Sequence, residues 1–456
     1  MAGKDFYAPI LRNWVYPLAQ RLQGRDFHPA MHAALQDQFL SSDELRELQF
    51  RKLSALIQHA FQTVPYYRRM FHEVGLQPGD IKTWQDFKNV PILTKELLRE
   101  NAGSLFSTKP DSALYPVSTS GSTGTPMMIM VSQRAALRAN VSRIRAMKWY
   151  GIELGDREIR LTNTGFSFER GWKAFFSQHV STPIRDRLMN RKHFSAFTMT
   201  PQMMAEHWEA ILKFSPRYLF GFPSAYALFA QYLQERGYDG RQANLALIVT
   251  LGEVLHAWQR QLITDTFGCP VADEYGSVEA GVVAHSHPCG AMHTMDDGVI
   301  VEVIKLHPED EYGQVVVTSL ENFGYPLIRY NLDDLAKTVL CGGNCPLGIG
   351  LGILEGLVGR SQDVLRLASG RIIYCHYFHN LIKHVQGVKQ YQVIQKRPDL
   401  FELRIVPLGD SFDPEGEVYL RDVIREHLEG SAIRVKIVDD IPKDPSGKLR
   451  FVISEV

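Results

Sequence analysis

The most informative run of the sequence is Ser118–Pro126, which reads STSGSTGTP. All of it except the proline is serine, threonine or glycine, so backbone N–H groups can turn toward an anion and hydroxyl groups add further donors. A flexible surface loop is the alternative, but the strand-like run Met127–Val131 that follows favours a phosphate-binding loop. This loop lacks the lysine of a Walker loop. The cation must therefore come from elsewhere, and the loop Pro442–Arg450 (PKDPSGKLR) presents Lys448 on a tight turn.

The composition bounds the class of protein. A chain of 456 residues exceeds one ordinary core, so we expect a large domain and a smaller one. With 45% hydrophobic and 22% charged residues, it has the composition of a soluble globular protein. The 50 basic and 50 acidic residues cancel, which gives no support for nucleic-acid or anionic-membrane binding through bulk charge.

We expect no transmembrane segment and a cytoplasmic location. No apolar run approaches the roughly 20 residues that span a bilayer, and the sequence starts without a secretory signal. The stretch Phe6–Leu22 mixes aromatic residues, leucines and two arginines. We interpret it as a helix packed on its own domain, with a helix lying on a membrane surface as the alternative. Five cysteines, an odd number, do not indicate a disulfide framework.

The order of predicted elements indicates the fold class. The first hundred residues are predicted to be helical. The central part then alternates strands at Ile159–Leu161, Tyr218–Phe220, Leu247–Val249 and Val271–Ala272 with helices at Pro201–Lys213, Ala225–Arg236 and Ala257–Thr266. Such alternation predicts an α/β fold with a mainly parallel sheet. A glycine-rich connector, Gly348–Gly359, precedes about a hundred residues of mixed helix and strand, so we predict domains at 1–359 and 360–456.

Four further motifs follow the first loop. They are Thr250–Glu253 (TLGE), Asp273–Glu279 (DEYGSVE), Tyr325–Leu335 (YPLIRYNLDDL), and a segment from Gly359–Asp363 (GRSQD) to Gly370 that leads toward the Lys448 loop. With these motifs in this order, the chain resembles the adenylate-forming enzymes from about residue 40 onward. That superfamily contains acyl- and aryl-CoA synthetases, adenylation domains and luciferases. The chain is most similar to the phenylacetate–CoA ligase branch, which includes capsule-biosynthesis proteins.

The resemblance implies a fold and a reaction. The fold would be a large N-terminal domain of mixed sheets and helices, which binds ATP and the acid, and a small mobile α+β C-terminal domain. The enzyme would use ATP and Mg²⁺ to convert a carboxylic acid to acyl-AMP, releasing pyrophosphate. It would then transfer the acyl group to a thiol, with CoA as the expected acceptor. Rotation of the small domain about Gln362–Asp363 would serve the two steps.

The resemblance also implies roles for individual residues. It assigns catalysis to Lys448, Glu279 and Thr123: Glu279 binds Mg²⁺, and Lys448 neutralises charge in the transition state. Tyr275 would stack on adenine, and Asp334 would accept the ribose hydroxyls, with Asp333 as the alternative. The implied nucleotide-binding set is Ser118, Ser120, Gly121, Ser122, Thr123, Gly124, Thr125, Gly252, Glu253, Glu274, Tyr275, Gly276, Ser277, Asp334 and Arg360.

The resemblance also implies where the acid binds: a pocket formed by two segments that contain phenylalanine and by one glycine. Its residues are Phe166, Phe220, Gly221, Phe222, Pro223 and Gly252. The phenylalanines indicate an aromatic or apolar acid, although phenylalanine is also a common core residue.

Two short Cys/His pairs are candidate metal ligands. Cys289 and His293 form one pair, and Cys341 and Cys345 form the other. Cys₃His is a common structural zinc set, and glycines within each pair permit tight turns. His285 and His287 are competing ligands, and reduced cysteines on loops are the alternative.

Other functions remain open at this point. The acyl or adenylyl group could pass to an amine, a hydroxyl or a carrier-protein thiol, or the protein could be a non-catalytic homologue that binds nucleotide. The expected partners are a small carboxylic acid, ATP, and CoA or a carrier protein, with no nucleic acid. The acid, the acceptor, the pathway and the oligomeric state (monomer or homodimer) are not fixed by the sequence.

Overall fold

The structure is a computed structural model. It describes residues 6–118, 128–162, 182–196, 199–342, 345–360, 364–367, 372–374, 382, 385, 387–408, 431–442 and 450–456. The chain divides into two compact units. The larger comprises Met1–Leu332 and Lys337–Glu355, and the smaller comprises Asp333–Ala336 and Gly356–Val456. No helix of the described residues is long and apolar enough to cross a membrane.

The described helices belong to the larger unit, and the first part of the chain is helical as predicted. The helices are α1 (Tyr7–Ile10), α2 (Tyr16–Leu22), α3 (Phe27–Asp37), α4 (Ser42–Thr63), α5 (Pro65–Glu73), α6 (Trp84–Phe87), α7 (Lys95–Glu100), α8 (Gln133–Lys148), α9 (Thr182–Leu188), α10 (Pro201–Phe214), α11 (Pro223–Glu235) and α12 (Ala257–Phe267). A π-helical turn, Leu11–Val15, joins α1 to α2 without a break.

Local sequence sets the ends of the longest helix, α4. Ser41 and Glu44 form a capping box, in which the Ser41 side chain accepts from the Glu44 N–H and the Glu44 carboxylate accepts from the Ser41 N–H. The helix ends before Pro65, which starts α5 because proline suits the first turn of a helix.

A large mixed sheet forms the centre of the larger unit. Within the described residues it contains nine strands in the order β13-β14-β9-β8-β7-β6-β5-β3-β4. The strands are β3 (Glu158–Thr162), β4 (Arg191–Ser195), β5 (Tyr218–Gly221), β6 (Leu247–Leu251), β7 (Val271–Ser277), β8 (Gly281–Ser286), β9 (Met292–Thr294), β13 (Thr338–Leu340) and β14 (Ile353–Glu355). Strands β4, β3, β5, β6 and β7 are parallel, and the remainder pair antiparallel.

The parallel strands are buried on both faces. Leu219 and Ile248 pack with residues of α11 and α12 on one face, whereas Phe220, Leu247 and Val249 pack with Met147 of α8 on the other. A strand covered on both faces reads as a continuous apolar run, which explains why β5 and β6 were predictable from the sequence.

Two further pairs of strands complete the larger unit. β1 (Leu114–Ser118) pairs antiparallel with β2 (Met128–Ser132), and Ser118 lies opposite Met128. β10 (Val299–Ile304) pairs antiparallel with β11 (Gly313–Ser319). β12 (Tyr330–Ala336) is ordered next to β11 in that sheet, and only its residues 330–332 belong to the larger unit.

The described part of the smaller unit is built from strands. β15 (Gly359–Arg360) pairs with residues 334–335 of β12, and β16 (Val364–Arg366) pairs with β17 (Ile372–Tyr374). A further sheet has the order β20-β19-β18-β21, formed by β18 (Val388–Arg397), β19 (Leu400–Pro407), β20 (Ala432–Ile437) and β21 (Val452–Ser454).

The predicted fold class is confirmed. The structure has a large α/β unit with mixed sheets and a small separate C-terminal unit. Residues 409–430, within the C-terminal stretch predicted to mix helix and strand, lie outside the described residues. β4 was not predicted, because its sequence, RKHFS, is polar.

Candidate functional site

The TLGE and DEYGSVE motifs meet at one edge of the large sheet. Thr250 at the end of β6 lies in register with Gly221 of β5 and Asp273 of β7, and Leu251 lies opposite Glu274. These are the carboxyl ends of parallel strands, where ligands bind in open α/β sheets. The predicted residues on β5, β6 and β7 are therefore brought to a common edge by strand register.

Two glycines at this edge are required by the backbone. A Cβ on Gly221 would lie 2.1 Å from the carbonyl oxygen of Leu161, so no side chain fits there. Gly252 has φ +76°, in the left-handed region that glycine adopts without strain. Both glycines therefore let the chain turn closely at the ends of β5 and β6.

Glu274 is engaged beneath the sheet edge. Its buried carboxylate accepts two hydrogen bonds from Arg143 of α8, at 2.7 Å from Nε and 2.6 Å from Nη2. Burial raises the pKa of Glu274, but the Arg143 guanidinium more than offsets this, and the pKa is lowered overall. Arg143 also lies over the Phe220 ring, 5.3 Å from its centroid. Arg143 was missed from the sequence and acts as a positioning residue for this motif.

The next residues of the motif lie at the end of β7. A β-bulge separates Tyr275 from Gly276, and Tyr275 is partly exposed. Bulges re-aim side chains at the edges of sheets. The Ser277 hydroxyl accepts a hydrogen bond from the Ala280 N–H at 3.0 Å, which closes the turn that carries Glu279.

Glu279 is a buried carboxylate beside a tyrosine. The Tyr330 hydroxyl donates a hydrogen bond to Glu279 Oε1 at 3.4 Å. Of the residues that the structure describes, no basic side chain forms an ion pair with Glu279. A buried carboxylate is costly without a cation, so this environment fits a site for a hard metal ion such as Mg²⁺.

Glu253 organises the end of β5. Its carboxylate accepts hydrogen bonds from the Ser224 hydroxyl at 3.0 Å and from the Ser224 N–H at 3.1 Å, in the first turn of α11. An acidic side chain there is favourable because the first N–H groups of a helix lack partners within it. Glu253 thus ties the TLGE motif to Ser224 and the start of α11.

Asp273, the first residue of the DEYGSVE motif, is a buried carboxyl. Burial raises its pKa to about 6, against a smaller opposite effect of its hydrogen bond with Thr250. The Thr250 hydroxyl donates to Asp273 Oδ1 at 2.9 Å.

Arg329 anchors the YPLIRYNLDDL motif. It forms two hydrogen bonds of 3.0 Å with the Glu302 carboxylate and donates to the carbonyl oxygens of Lys88 and Val90, both at 2.6 Å. This largely buried guanidinium fixes the strand that carries Tyr330, and its role was not predicted from the sequence.

Asp333 and Asp334 belong to the smaller unit. Asp333 has φ +59°, unusual for a residue with a side chain. Asp334 lies in register with Arg360. The assignment of Asp334 to ribose stays a prediction.

Several predicted site residues lie outside the described residues. They are Ser120, Gly121, Ser122, Thr123, Gly124, Thr125, Phe166 and Lys448. Ser118 ends β1, immediately before the predicted phosphate loop.

The two described phenylalanines of the predicted acid pocket are buried in different clusters. Phe220 packs with the α8 side of the sheet, and Phe222 packs in the cluster on the other face. Phe220 also carries Arg160 over its ring, at 4.7 Å. The pocket assignment remains a prediction, and both side chains have packing roles.

A Cys/His cluster lies at the β8–β9 side of the sheet. His287, Cys289, His293 and Cys345 each offer a ligand atom, and all of these atoms lie within 4.8 Å of one another. Cys289 Sγ is 3.7 Å from His293 Nε2, and Cys345 Sγ is 3.8 Å from His287 Nδ1. With usual Zn–S and Zn–N bond lengths, the edge of a tetrahedral site is about 3.6 Å. The donors therefore fit zinc in number, type and spacing.

The predicted ligand set is corrected at one position. Cys341 is exposed and accepts a hydrogen bond from Arg46 Nη1 at 3.2 Å, whereas His287 takes its place in the cluster. The reason is the β8–β9 hairpin: the His287 N–H donates to the Ala291 carbonyl across the turn, which holds His287 close to His293. The competing candidate His285 lies outside the cluster.

Comparisons with known proteins agree with this geometry. The chain matches the AMP-binding enzyme family over residues 77–316 and the CapK C-terminal domain over residues 365–455. The phenylacetate–coenzyme A ligase of Pseudomonas putida is 25% identical over 381 residues, which cover 80% of this chain and 82% of that protein. The phenylacetate–coenzyme A ligase of Thermus thermophilus is 24% identical over 454 residues, covering 91% and 97% respectively.

A solved structure shares the fold. The 2-hydroxyisobutyryl-CoA ligase in the postadenylation state, in complex with R3-HIB-AMP, superposes with a TM-score of 0.73 at 21% identity, covering 92% of this chain and 91% of that chain. The resemblance to adenylate-forming enzymes of the phenylacetate–CoA ligase branch is thus confirmed. Because the AMP-binding match alone extends over more than half of the 456 residues, the chain belongs to the AMP-binding enzyme family.

Proposed function

We propose that this protein is an AMP-forming acid–thiol ligase that activates an aromatic or apolar carboxylic acid. In the first step a carboxylate oxygen attacks the α-phosphorus of ATP, the bond to the β-phosphate breaks, and pyrophosphate leaves. In the second step the sulfur of a thiol, with CoA as the proposed acceptor, attacks the acyl carbon and AMP leaves. The thiol proton is released to the medium.

One observation carries this proposal. The TLGE and DEYGSVE motifs lie in register at the carboxyl ends of β6 and β7, beside the buried Glu279. Edges of this kind bind nucleotides in α/β proteins. The likeness to proteins named phenylacetate–coenzyme A ligase supports the choice of acid and thiol.

The residues of the larger unit would bind and orient the nucleotide. Tyr275 would stack on adenine opposite the Gly252–Glu253 backbone, with Glu274 held by Arg143 behind the strand. Glu279 would hold Mg²⁺, which, when bound, offsets the charge of the phosphates. Hydroxyl and N–H groups of the Ser118–Pro126 loop would contact the phosphates. Catalysis would then come mainly from positioning and charge stabilisation.

Lys448 and Asp334 are the proposed contributions of the C-terminal part. Asp334 would accept both ribose hydroxyls, as a carboxylate can. Lys448 would neutralise charge as the carboxylate approaches the α-phosphorus, and its withdrawal would follow from rotation of the small domain.

The Lys448 assignment is tested by acid-dependent exchange of pyrophosphate into ATP. Lys448→Ala should lower exchange by about a hundredfold or more, because a charge-stabilising donor is lost. Thiolysis of supplied acyl-AMP should be largely retained. Lys443→Ala, in the same loop, is the matched control and should leave exchange close to wild type. Unchanged exchange in Lys448→Ala would contradict the assignment.

The acid and the acceptor are tested by the same assay. A panel of aryl, fatty and hydroxy acids should give the highest exchange with arylacetic or aryl acids, and AMP release should depend on CoA. Exchange without CoA-dependent release would favour an amine, hydroxyl or carrier-protein acceptor. An absence of exchange with every acid would favour a non-catalytic nucleotide-binding homologue.

The Cys/His cluster is proposed as a structural zinc site. Four protein ligands would close the coordination sphere, which suits a structural rather than a catalytic metal. His293 Nδ1 lies 3.0 Å from the Leu351 carbonyl oxygen, so Nδ1 donates a proton there and leaves Nε2 for the metal. Burial, with the neighbouring His293 and His285, lowers the pKa of His287 to about 4, which favours the neutral form that binds metals.

This zinc site would brace the nucleotide motif. His293 of β9 lies opposite His285 of β8, and His285 lies opposite Glu274 of β7. Opposite residues of neighbouring strands share a face of the sheet. His293 on β9 and Glu274 on β7 therefore lie on the same face, with β8 between them. Metal binding would therefore stabilise the β8–β9 hairpin, whose strand β8 pairs with Glu274 and Tyr275 of β7.

A further inference from the structure

The N-terminal helical segment carries an apolar stripe on its outer face. Five large side chains, four residues apart, are exposed: Phe6 (80%), Ile10 (51%), Trp14 (75%), Leu18 (58%) and Leu22 (80%). Single exposed apolar residues are normal on a protein surface, but a contiguous row of five marks an interaction surface.

The π-helical turn keeps this row on one side. In an α-helix of about 3.6 residues per turn, side chains spaced by four drift steadily around the axis. The π turn at Leu11–Val15 is wider, because its hydrogen bonds close over five residues, and it rotates the later side chains back. Trp14 and Leu18 therefore continue the row begun by Phe6 and Ile10.

The opposite face of the segment is already packed. Leu11 and Tyr16 are buried with Phe27 and Val141. Arg12 Nε donates to the Leu154 carbonyl at 3.0 Å, so the segment is fixed to the unit along this face. The exposed stripe is thus held rigidly outward and is not the core face of a displaced helix.

A second helix extends the apolar surface. The Tyr7 hydroxyl donates to the carbonyl oxygen of Leu188 at 2.7 Å, which places the end of α9 beside the start of the stripe. Leu188 is 51% exposed and Ile184, one turn earlier, is 55% exposed. The apolar surface therefore spans two neighbouring helices.

Exposed arginines flank this surface. Arg21 lies beside Leu18 and Leu22, and Arg185 and Arg187 alternate with the exposed residues of α9. Within the described ranges, no carboxylate pairs with Arg21 or Arg187. Apolar and tryptophan side chains next to free guanidinium groups are typical of helices that lie in the interface of an anionic bilayer. In a two-fold symmetric dimer through this surface, the arginines of both copies would be brought into one interface, which is unfavourable.

We propose that this surface, formed by α1, the π turn, α2 and α9, docks the protein on an anionic membrane. Phe6, Ile10, Trp14, Leu18 and Leu22 enter the boundary between headgroups and acyl chains, and Arg21, Arg185 and Arg187 contact lipid phosphates. The protein lies on the membrane and does not span it. The balanced total charge gave no support for anionic-membrane binding, but the local arrangement of exposed arginines beside apolar side chains supports it.

The test is sedimentation with vesicles. The full chain should bind vesicles of phosphatidylcholine with about 30% phosphatidylglycerol, bind pure phosphatidylcholine several-fold less, and be released by high salt. Trp14→Ser/Leu18→Ser should weaken binding at least about tenfold, because two large apolar side chains no longer enter the bilayer. Arg21→Glu/Arg187→Glu should remove the preference for phosphatidylglycerol. Leu306→Ser and Lys305→Glu, at exposed positions elsewhere on the same unit, are the matched controls and should bind like wild type.

Three outcomes would overturn the proposal. They are an absence of vesicle binding by the wild type, equal losses in the control and stripe variants, and a wild-type dimer in light scattering that Trp14→Ser/Leu18→Ser converts to a monomer. The variants change exposed side chains, so unchanged melting temperatures and pyrophosphate exchange should accompany the loss of binding. A failure here leaves the proposed ligase activity untouched.

Discussion

Two polar clusters of the larger unit lie close in the sequence but differ in how their charges are met. Asp297 is fully buried and accepts from Arg145 Nη1 at 2.7 Å and Nη2 at 3.1 Å, with Arg138 as a further ion-pair partner. Four residues before it, His293 faces Cys289 and the other two members of the Cys/His cluster. Of the described residues, none forms an ion pair with that cluster.

This contrast separates a cluster whose charges are met within the protein from one that is expected to need a bound cation. The Asp297 cluster contains its own counter-charges, because opposite charges meet within the protein, while Arg145 Nε and Arg138 Nε are buried there without a hydrogen-bond partner among the described residues. The Cys/His cluster brings electron-pair donors together, which is favourable only when a cation lies between them. One cluster holds the fold, and the other is expected to need a ligand.

The largest expected effect on stability comes from breaking the Asp297 cluster. Asp297→Ala would leave Arg145 buried without its counter-charge, and loss of one partner of a buried pair costs about 3–5 kcal/mol. Chemical denaturation should show this decrease in the free energy of unfolding. A decrease below about 1 kcal/mol would mean that the cluster relaxes or admits water, and the contrast with the Cys/His cluster would then fail.

The next largest effect is expected at the Cys/His cluster. Cys345→Ser should reduce bound zinc from one equivalent to none and lower the free energy of unfolding by about 3 kcal/mol in the presence of metal, since ligand binding stabilises the folded state. Elemental analysis and denaturation measure the two quantities. The matched control is Cys341→Ser, which should retain zinc. Metal-free wild-type protein with unchanged stability would exclude a structural metal.

An intermediate case is Asp273, a buried carboxyl with a hydroxyl partner. Its pKa is raised from 3.8 to about 6, so the stability it contributes is present below pH 4 and is lost as the pH rises through 6. The free energy of unfolding of Asp273→Asn should therefore rise by about 2 kcal/mol relative to that of the wild type between pH 4 and pH 7.5. This figure follows from the raised pKa, because each pKa unit corresponds to about 1.4 kcal/mol. Denaturation at both pH values checks this, and a pH-independent difference would contradict it.

The smallest effect is expected at an exposed pair. Lys396 Nζ and Glu455 Oε1 are 2.6 Å apart on the smaller unit, with side chains 34% and 47% exposed. Because water screens such pairs, Glu455→Gln should cost no more than about 0.5 kcal/mol. A cost near that of Asp297→Ala would show that burial does not govern these differences.

The sequence predicted those parts of the fold that have a periodic apolar pattern. α10, α12, β5 and β6 lie close to their predicted positions, because their apolar patterns and their end signals are local. β4 could not be predicted from its polar sequence, since its pairing with β3 depends on neighbours far along the chain.

The motif residues of the candidate site could be predicted from the sequence, but the side chains that bind and position them could not. The motif residues of β6 and β7 lie together as expected, yet Arg143 and Arg329 were not foreseen. Their roles depend on contacts with Glu274 and Glu302 that no spacing reveals. Likewise, His287 replaced Cys341 because strand register, not sequence offset, decides which donors meet.

The backbone conformation at Asp333 limits which residues can replace it in the YPLIRYNLDDL motif. Its φ of +59° costs most side chains on the order of 1 kcal/mol, and glycine, asparagine and aspartate bear it best. In a saturation library scored for growth or activity, position 333 should therefore accept a narrow set led by glycine for a backbone reason. Among the described residues, positive φ values do not extend to Asp334. If position 334 tolerates few residue types and excludes both glycine and asparagine, the restriction would show that the Asp334 carboxylate itself is required.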